Sequence, residues 1–297
     1  MELGPGSKTQ PYNGSLLKFM TDCQKYTAGL SLFNRYILWR YSIGSGAINF
    51  RLIFGKDNPN ATYWVYLFFE YYKNTINQGS LKPRDVKASE VSPAFREFLR
   101  WFNSPKEYSG LHIDDKAEIT NKVIALYINE LQAIMLKGPM VKGEGFTVFK
   151  TSTQYPGLPE IGPGFKPTVV PQIPFNSSTV MSDMNFYVFQ SPEGNNYMWQ
   201  IFIPPGTRGP LFIDEQIHAY SSMEKEVLLP HGVNFDVRSY SQGILDYVDP
   251  AKMNVRQLQN PKNISMGPVY ELNEFVPIKN NGLIKQKPFN IFNAILR

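Results

Sequence analysis

The stretch that decides the fold is SSMEKEVLLPHGVNFDV, which runs from Ser221 to Val237. Two glutamates, Glu224 and Glu226, flank a lysine and stand directly before an apolar run. A Pro-His-Gly turn follows, and after it apolar and polar residues alternate, which predicts a strand with one buried face. Residues two apart in a strand point to the same side. Both carboxylates can therefore face one cleft at the end of a buried strand.

Outward from this stretch, the chain divides into a helical first part and a strand-rich second part. Apolar residues recur at helical spacing in four segments, at 15–42, 61–78, 94–103 and about 116–136. Strands are predicted at 145–150, 185–189, 197–203, 226–230 and 233–240. The sequence therefore predicts an α+β fold, in which N-terminal helices precede a compact, mostly antiparallel β core.

Changes in composition along the chain predict three regions. Residues 1–93 form a helical N-terminal region that ends in a polar connector with two prolines. Residues 94–245 contain the β core. Residues 246–297 are rich in Asn, Pro and Lys with little periodicity, which predicts an extended C-terminal arm. The N-terminal helices and this arm are the candidate elements for docking a partner or a larger assembly.

Composition limits the possible partners and compartments. The net charge of +5 is scattered, so no specific nucleic-acid partner is predicted. A single cysteine, Cys23, excludes an internal disulfide framework, and three widely spaced histidines predict no metal site. Neither a signal peptide nor an apolar window long enough to span a membrane is predicted. The expected location is cytoplasmic, or delivered or packaged with a larger particle.

Four landmarks, in this order, resemble the mono-ADP-ribosyltransferases of the Arg-Ser-Glu class, the fold of the arginine-modifying bacterial binary toxins. They are KEYSGLHIDDKAEI at 106–119, the helix and strand ending in GFTVFK at 122–150, PFNSSTV at 174–180 and MEKEVLLPHGVNFDV at 223–237. Each motif is short, but their order and spacing together are specific. The resemblance covers about half of the chain, from about residue 95 to 240, and implies a toxin-like transferase.

The resemblance implies a glycosyl transfer in which NAD supplies ADP-ribose to a side chain of an acceptor protein. Glu226 matches the residue that stabilises the oxocarbenium-like ribose, as a carboxylate does in glycoside hydrolysis. Glu224 matches the residue that binds an arginine acceptor and helps to remove its proton. Ser177 matches the serine that orients the catalytic glutamate, and Tyr220 is the candidate aromatic residue for acceptor recognition. The residues implied to bind NAD are Lys150, Ser177, Ser178 and Thr179.

One departure concerns the first motif, which ends in arginine in the family and in Lys150 here. Lysine keeps the positive charge but loses the planar fork of a guanidinium, which binds phosphate oxygens in pairs. It can still meet a phosphate as a point charge. Weaker NAD binding is therefore expected, and the change places the activity itself in question.

Two other hypotheses stay open at this point. In one, the fold has lost catalysis and serves as a structural or binding component of a larger assembly, such as the particle of a large DNA virus. In the other, an unrelated α+β protein carries the motifs by chance, and its Glu-x-Glu pair only protects a strand edge from aggregation. The positions of the motif residues in the structure distinguish an active enzyme from chance motifs. An active enzyme needs Glu226, Ser177 and Lys150 in one cleft, whereas chance motifs leave Glu226 away from Ser177.

Overall fold

The computed structural model describes most of the chain in segments. These are residues 14–43, 45–55, 57–58, 110–152, 158–180, 197–213, 225–248 and 284–297, with the single positions 93, 96 and 107. The predicted strand 185–189 and helix 61–78, nearly all of the predicted helix 94–103, and the site candidates Glu224 and Tyr220 lie outside the described residues.

Four helices are described, and three of them lie in the first part of the chain. Their bounds are α1 Gly14–Ala28, α2 Leu32–Ile43, α3 Gly46–Phe54 and α4 Ile113–Lys137. The segment predicted as one helix over 15–42 is two helices, because the first helix ends before Gly29. The second helix begins after Ser31, whose hydroxyl accepts a hydrogen bond from the Asn34 amide at 3.1 Å. Helix α4 agrees with the predicted helix and ends before Gly138, as expected from its glycine and proline.

Eight strands in the described segments form one sheet. Their bounds are β1 Phe146–Ser152, β2 Thr168–Gln172, β3 Asn176–Thr179, β4 Tyr197–Ile203, β5 Leu211–Phe212, β6 Glu226–Leu229, β7 Val233–Val248 and β8 Ile284–Leu296. The strand order is β2-β7-β8-β4-β1-β3-β6-β5. All neighbours are antiparallel except β4 and β8, which run parallel. The prediction of an α+β fold with N-terminal helices and a mostly antiparallel core is thus confirmed.

The end of the chain differs from the predicted extended arm. Residues 284–296 form β8, which lies between β7 and β4 in the middle of the sheet. Three apolar side chains of this strand, Phe292, Ala294 and Leu296, are buried. Asn, Lys and Pro make the segment look polar, and its parallel partner β4 lies far away in sequence, so local periodicity gave a weak signal. The three-region division at 93/94 and 245/246 stays a prediction.

The helices and the sheet share one hydrophobic core. A single buried cluster includes residues of α1, α2, α3 and α4 as well as most of the strands. For example, the rings of Phe19 in α1 and Phe146 in β1 have centroids 4.9 Å apart, and Trp199 in β4 lies 4.9 Å from Phe292 in β8. None of the described helices is long and apolar enough to cross a membrane.

The sheet has one narrow connection. Among the described residues, β1 and β3 are joined through a single residue pair, Phe149 with Thr179. On one side of this junction lie β2, β7, β8, β4 and β1, and on the other side lie β3, β6 and β5. The junction matters because the described residues predicted as functional lie on β1 and β3, which meet there, and on β6, which pairs with β3.

Candidate active site

The second and third sequence motifs lie on neighbouring strands. In the antiparallel pair of β3 and β6, Thr179 stands opposite Glu226 and Ser177 opposite Leu228. Directly paired residues share a face of the sheet, and so do residues two apart in one strand. Ser177, Thr179 and Glu226 therefore lie on one face, with Glu226 diagonal to Ser177. The chance-motif hypothesis expected the glutamate to lie away from this serine, whereas the register makes them diagonal neighbours on paired strands.

Glu226 is a buried carboxylate at the start of its strand, with only 3% of its surface exposed. The residue before it, Lys225, has a positive φ of 42°. A non-glycine residue in this region of φ is uncommon and strained, and such strain persists where the surrounding structure fixes it. The Lys225 carbonyl accepts a hydrogen bond from the Val180 amide at 3.3 Å. The backbone that presents Glu226 is therefore held against the end of the serine motif.

The corner between α2 and α3 holds the start of the serine motif. The Asn49 side-chain oxygen accepts a hydrogen bond from the Phe175 amide at 3.1 Å, and its NH₂ group donates to the Tyr41 hydroxyl at 3.3 Å. The Tyr41 hydroxyl in turn donates to the Phe175 carbonyl at 3.4 Å. The two aromatic rings meet edge to face, with centroids 5.7 Å apart. Tyr41 and Asn49 therefore fix both backbone polar groups of the residue that precedes Asn176.

Tyr41 also lies within the electrostatic field of Glu226. Burial raises the pKa of Tyr41, and the negative charge of Glu226 raises this pKa further. The tyrosine therefore stays protonated at neutral pH, and its hydroxyl remains a hydrogen-bond donor. Neither Tyr41 nor Asn49 was among the residues singled out by sequence. Their only sequence signal is that each is a polar side chain within an apolar helical segment, and such side chains are common.

Lys150 lies on the other face of the sheet. Its neighbour Phe149 pairs with Thr179, so alternation along β1 turns the lysine away from the face that carries Glu226. Lys150 instead pairs with Trp199 of the main core. Its ammonium group donates to the side-chain oxygen of Asn176, and burial lowers the pKa of Lys150 to about 8. The structure brings Ser177 and Glu226 together on one face and does not bring Lys150 to it.

The remaining candidates take different positions. Ser178 shares the core-facing side of β3 with Asn176, and its buried hydroxyl has no hydrogen-bond partner among the described residues. Thr179 is fully buried opposite Glu226. His231, predicted as a turn residue, packs edge-on against Phe175 with ring centroids 4.9 Å apart. Within the described segments, no group of three or more metal-ligating side chains occurs.

Comparison with known proteins gives similarities of overall fold only. No family model matches this chain, and no curated protein matches it. Among solved structures, Plx2a, an ADP-ribosyltransferase toxin from Paenibacillus larvae, has a TM-score of 0.46 at 11% identity, with 96% of each chain covered. The Clostridium limosum C3 exoenzyme has a TM-score of 0.45 at 14% identity, with 97% of this chain and 95% of that chain covered. C3stau2 from S. aureus, solved with NAD, has a TM-score of 0.44 at 12% identity, with 98% of each chain covered.

Proposed function

We propose that this protein is an NAD-dependent mono-ADP-ribosyltransferase that modifies a protein side chain, with arginine as the favoured acceptor. The register of β3 and β6 supports this proposal most directly. It sets Glu226 opposite Thr179 and on the same face as Ser177, which is the arrangement that an ordered Ser-motif and Glu-motif need in order to act on one substrate.

Glu226 is the proposed catalytic residue. NAD supplies the ADP-ribosyl group, and positive charge develops on its ribose as the bond to nicotinamide breaks. A fixed carboxylate next to that charge stabilises the transition state, and it does so more strongly where water is excluded. The burial of Glu226 provides such an environment. Ser177, diagonal to it on the neighbouring strand, is proposed to orient the carboxylate.

The described residues fit the ribose end of NAD better than its phosphates. A carboxylate and hydroxyls on one face suit a ribose, whose own hydroxyls donate and accept hydrogen bonds. Thr179 shares this face with Glu226 and is proposed to contribute to NAD binding. The NAD contact predicted for Ser178, whose side chain is on the other face of β3, stays a prediction. The phosphate contact predicted for Lys150 stays a prediction. Its ammonium group is bonded to Asn176, so we derive no step from it.

The acceptor side of the reaction is proposed from Glu224 and Tyr220, which lie outside the described residues. Glu224 stands two residues before Glu226. A carboxylate at this position can bind a guanidinium in bidentate fashion and accept its proton as the new bond forms. Tyr220 is proposed to contact the acceptor protein through its ring.

Release of nicotinamide tests the proposal. The purified chain is incubated with NAD, and nicotinamide is followed by chromatography. Glu226→Gln should reduce the rate at least about 100-fold, because the neutral amide cannot balance the charge on the ribose. Glu144→Gln, at an exposed position, is the matched control and should leave the rate unchanged. A variant Glu226→Gln as active as the wild type would reject the assignment of the catalytic residue.

A small guanidine tests the arginine acceptor. With agmatine present, the wild type should form ADP-ribosyl-agmatine, detectable by mass spectrometry. Glu224→Gln should lose this transfer and keep most of the nicotinamide release, since its proposed role concerns the acceptor. Loss of both activities in Glu224→Gln would contradict the separate roles of the two glutamates.

The second candidate function is that of a structural or binding component of a larger assembly that retains this fold without catalysis. Two observations favour it. Glu226 is only 3% exposed, and Lys150 is bonded within the protein. Absence of nicotinamide release, together with absence of NAD binding by calorimetry, would support this candidate against the enzyme.

A further inference from the structure

We propose that Lys150 is a positioning residue, which secures the junction between β1 and β3 through Asn176 and so fixes the strand pair β3–β6, which carries Ser177 and Glu226, against the rest of the sheet. This role differs from the phosphate contact that the sequence predicts. The inference rests on the proposed function, since it names how this chain holds the same site.

The need for such a contact arises from the geometry of the sheet. Strand β1 pairs with β4 along its whole length, from Phe146 to Ser152. On its other side, within the part of the chain that the structure describes, β1 meets β3 through the single pair of Phe149 and Thr179. One backbone pair is a weak constraint on the angle between two strands. A side-chain bond between β1 and β3 therefore adds a second point of attachment at the place where the serine motif begins.

The contact of Lys150 with Asn176 supplies this second point. Asn176 is only 1% exposed, and its NH₂ group donates to the Pro174 carbonyl at 3.0 Å. Its side-chain oxygen accepts from the ammonium group of Lys150. The amide thus spans from the lysine on β1 to the chain just before β3. A buried hydrogen bond to a charged group is stronger than one between neutral groups.

The serine motif is consequently held from two directions. Asn49 and Tyr41 hold the backbone of Phe175 from the α2–α3 corner. Lys150 holds the side chain of the next residue from β1. Ser177 follows directly and is tied to Glu226 by the pairing of β3 with β6, so the position of both residues relative to β1 and the α2–α3 corner depends on both attachments. A lysine suits this position because the acceptor is a single amide oxygen, that of Asn176. An arginine guanidinium would bring additional N–H donors that need partners of their own.

A double-mutant cycle measures the role. The four proteins are wild type, Lys150→Met, Asn176→Ala and the double variant, and the readouts are kcat and KM for NAD in nicotinamide release. Each single variant should lower kcat between about 10-fold and 100-fold by displacing the serine motif. KM for NAD should change by the same factor in both, because both displace the same motif. The double variant should be no slower than the slower single variant, because both remove one shared contact.

The competing phosphate role gives a different pattern. A lysine that contacts the NAD phosphates would raise KM for NAD about tenfold or more in Lys150→Met, while Asn176→Ala would not reproduce the change. Either that pattern or additive effects of the two substitutions would overturn the proposal. Lys150→Arg separates the roles again, since a restored phosphate fork would lower KM for NAD, and a positioning role predicts no such gain. Lys142→Met, at an exposed lysine, is the control.

A readout without activity keeps this inference distinct from the proposed function. Urea unfolding of the same four proteins should show coupling between Lys150 and Asn176, and Asn176→Asp should raise the pKa of Lys150 measured by ¹³C NMR of the lysine ε-carbon. Without coupling, the contact is refuted whether or not the protein is an enzyme. If the cycle shows coupling but the wild type releases no nicotinamide, the contact is real and the proposed function is rejected, together with the catalytic consequence of the contact.

Discussion

Replacement of Lys150 by methionine should change how the stability of the protein depends on pH. Methionine has a similar length and no charge, so it fills the same space beside Trp199. In the folded protein, burial lowers the pKa of Lys150 from 10.5 to about 8. In the unfolded chain, the same lysine returns to the higher value. Between the two values the unfolded state binds more protons, so the free energy of unfolding contributed by Lys150 rises with pH.

The magnitude follows from the two pKa values. One unit of pKa corresponds to about 1.36 kcal/mol. Integration between about pH 7 and pH 9.5 gives a gain of about 2 kcal/mol for the wild type over Lys150→Met, most of it above about pH 8. Lys150 keeps a partly exposed surface, and solvent screening makes this value an upper limit.

Urea unfolding at several pH values measures the effect. The quantity of interest is the difference in free energy of unfolding between wild type and Lys150→Met, because groups that titrate equally in both proteins cancel in it. Lys142→Met, at an exposed position, should show a constant difference from wild type. A constant difference for Lys150→Met over the same range would show that Lys150 titrates as it does in solvent, and would refute its burial against Asn176.

Two further substitutions test the surroundings of the site and the end of the chain. Tyr41→Phe removes the hydroxyl that is hydrogen-bonded to the Phe175 carbonyl, and it should lower kcat for nicotinamide release about tenfold with a stability loss of about 1 kcal/mol. The control Tyr26→Phe removes a similar hydrogen bond, at 2.7 Å to the Ile134 carbonyl, and should lower stability alone. An equal loss of activity in both variants would contradict a specific role for Tyr41. Asp236→Asn removes the charge of a buried carboxylate that is paired with two half-exposed arginines, Arg238 and Arg297. In urea titrations it should lower the free energy of unfolding by about 1–3 kcal/mol. Little change would show that water already satisfies the two arginines.

Local sequence patterns were sufficient to predict those helices and strands whose apolar residues show the periodicity of the element. Helix α4 repeats apolar residues at helical spacing, and the residues that signal its start and its end lie within a few positions of its observed ends. Strand β4 and the hairpin of β6 and β7 show apolar runs or alternation next to turn residues. The prediction that Ser177 and Glu226 act together came from the family resemblance, which depends on the order of the two motifs in the sequence.

Long-range pairing could not be predicted in the same way. Strand β8 is polar in composition and pairs in parallel with β4, so no local turn connects the partners. The short strand β2 contains Pro171, which is tolerated because β2 lies at the edge of the sheet. In a linear sequence, the same proline argues for a loop.

The sequence by itself determined the chemistry available to this protein: a helical first part, a β core, and a pair of glutamates following a serine motif. Only the tertiary structure decided which of these groups meet. The pairing of Phe149 with Thr179 places Lys150 on the face opposite Glu226, and the α2–α3 corner brings Tyr41 and Asn49 to the serine motif from more than a hundred residues away. The reason is physical, because a strand changes faces with every residue, and a shift of one residue in register would have exchanged the two sides.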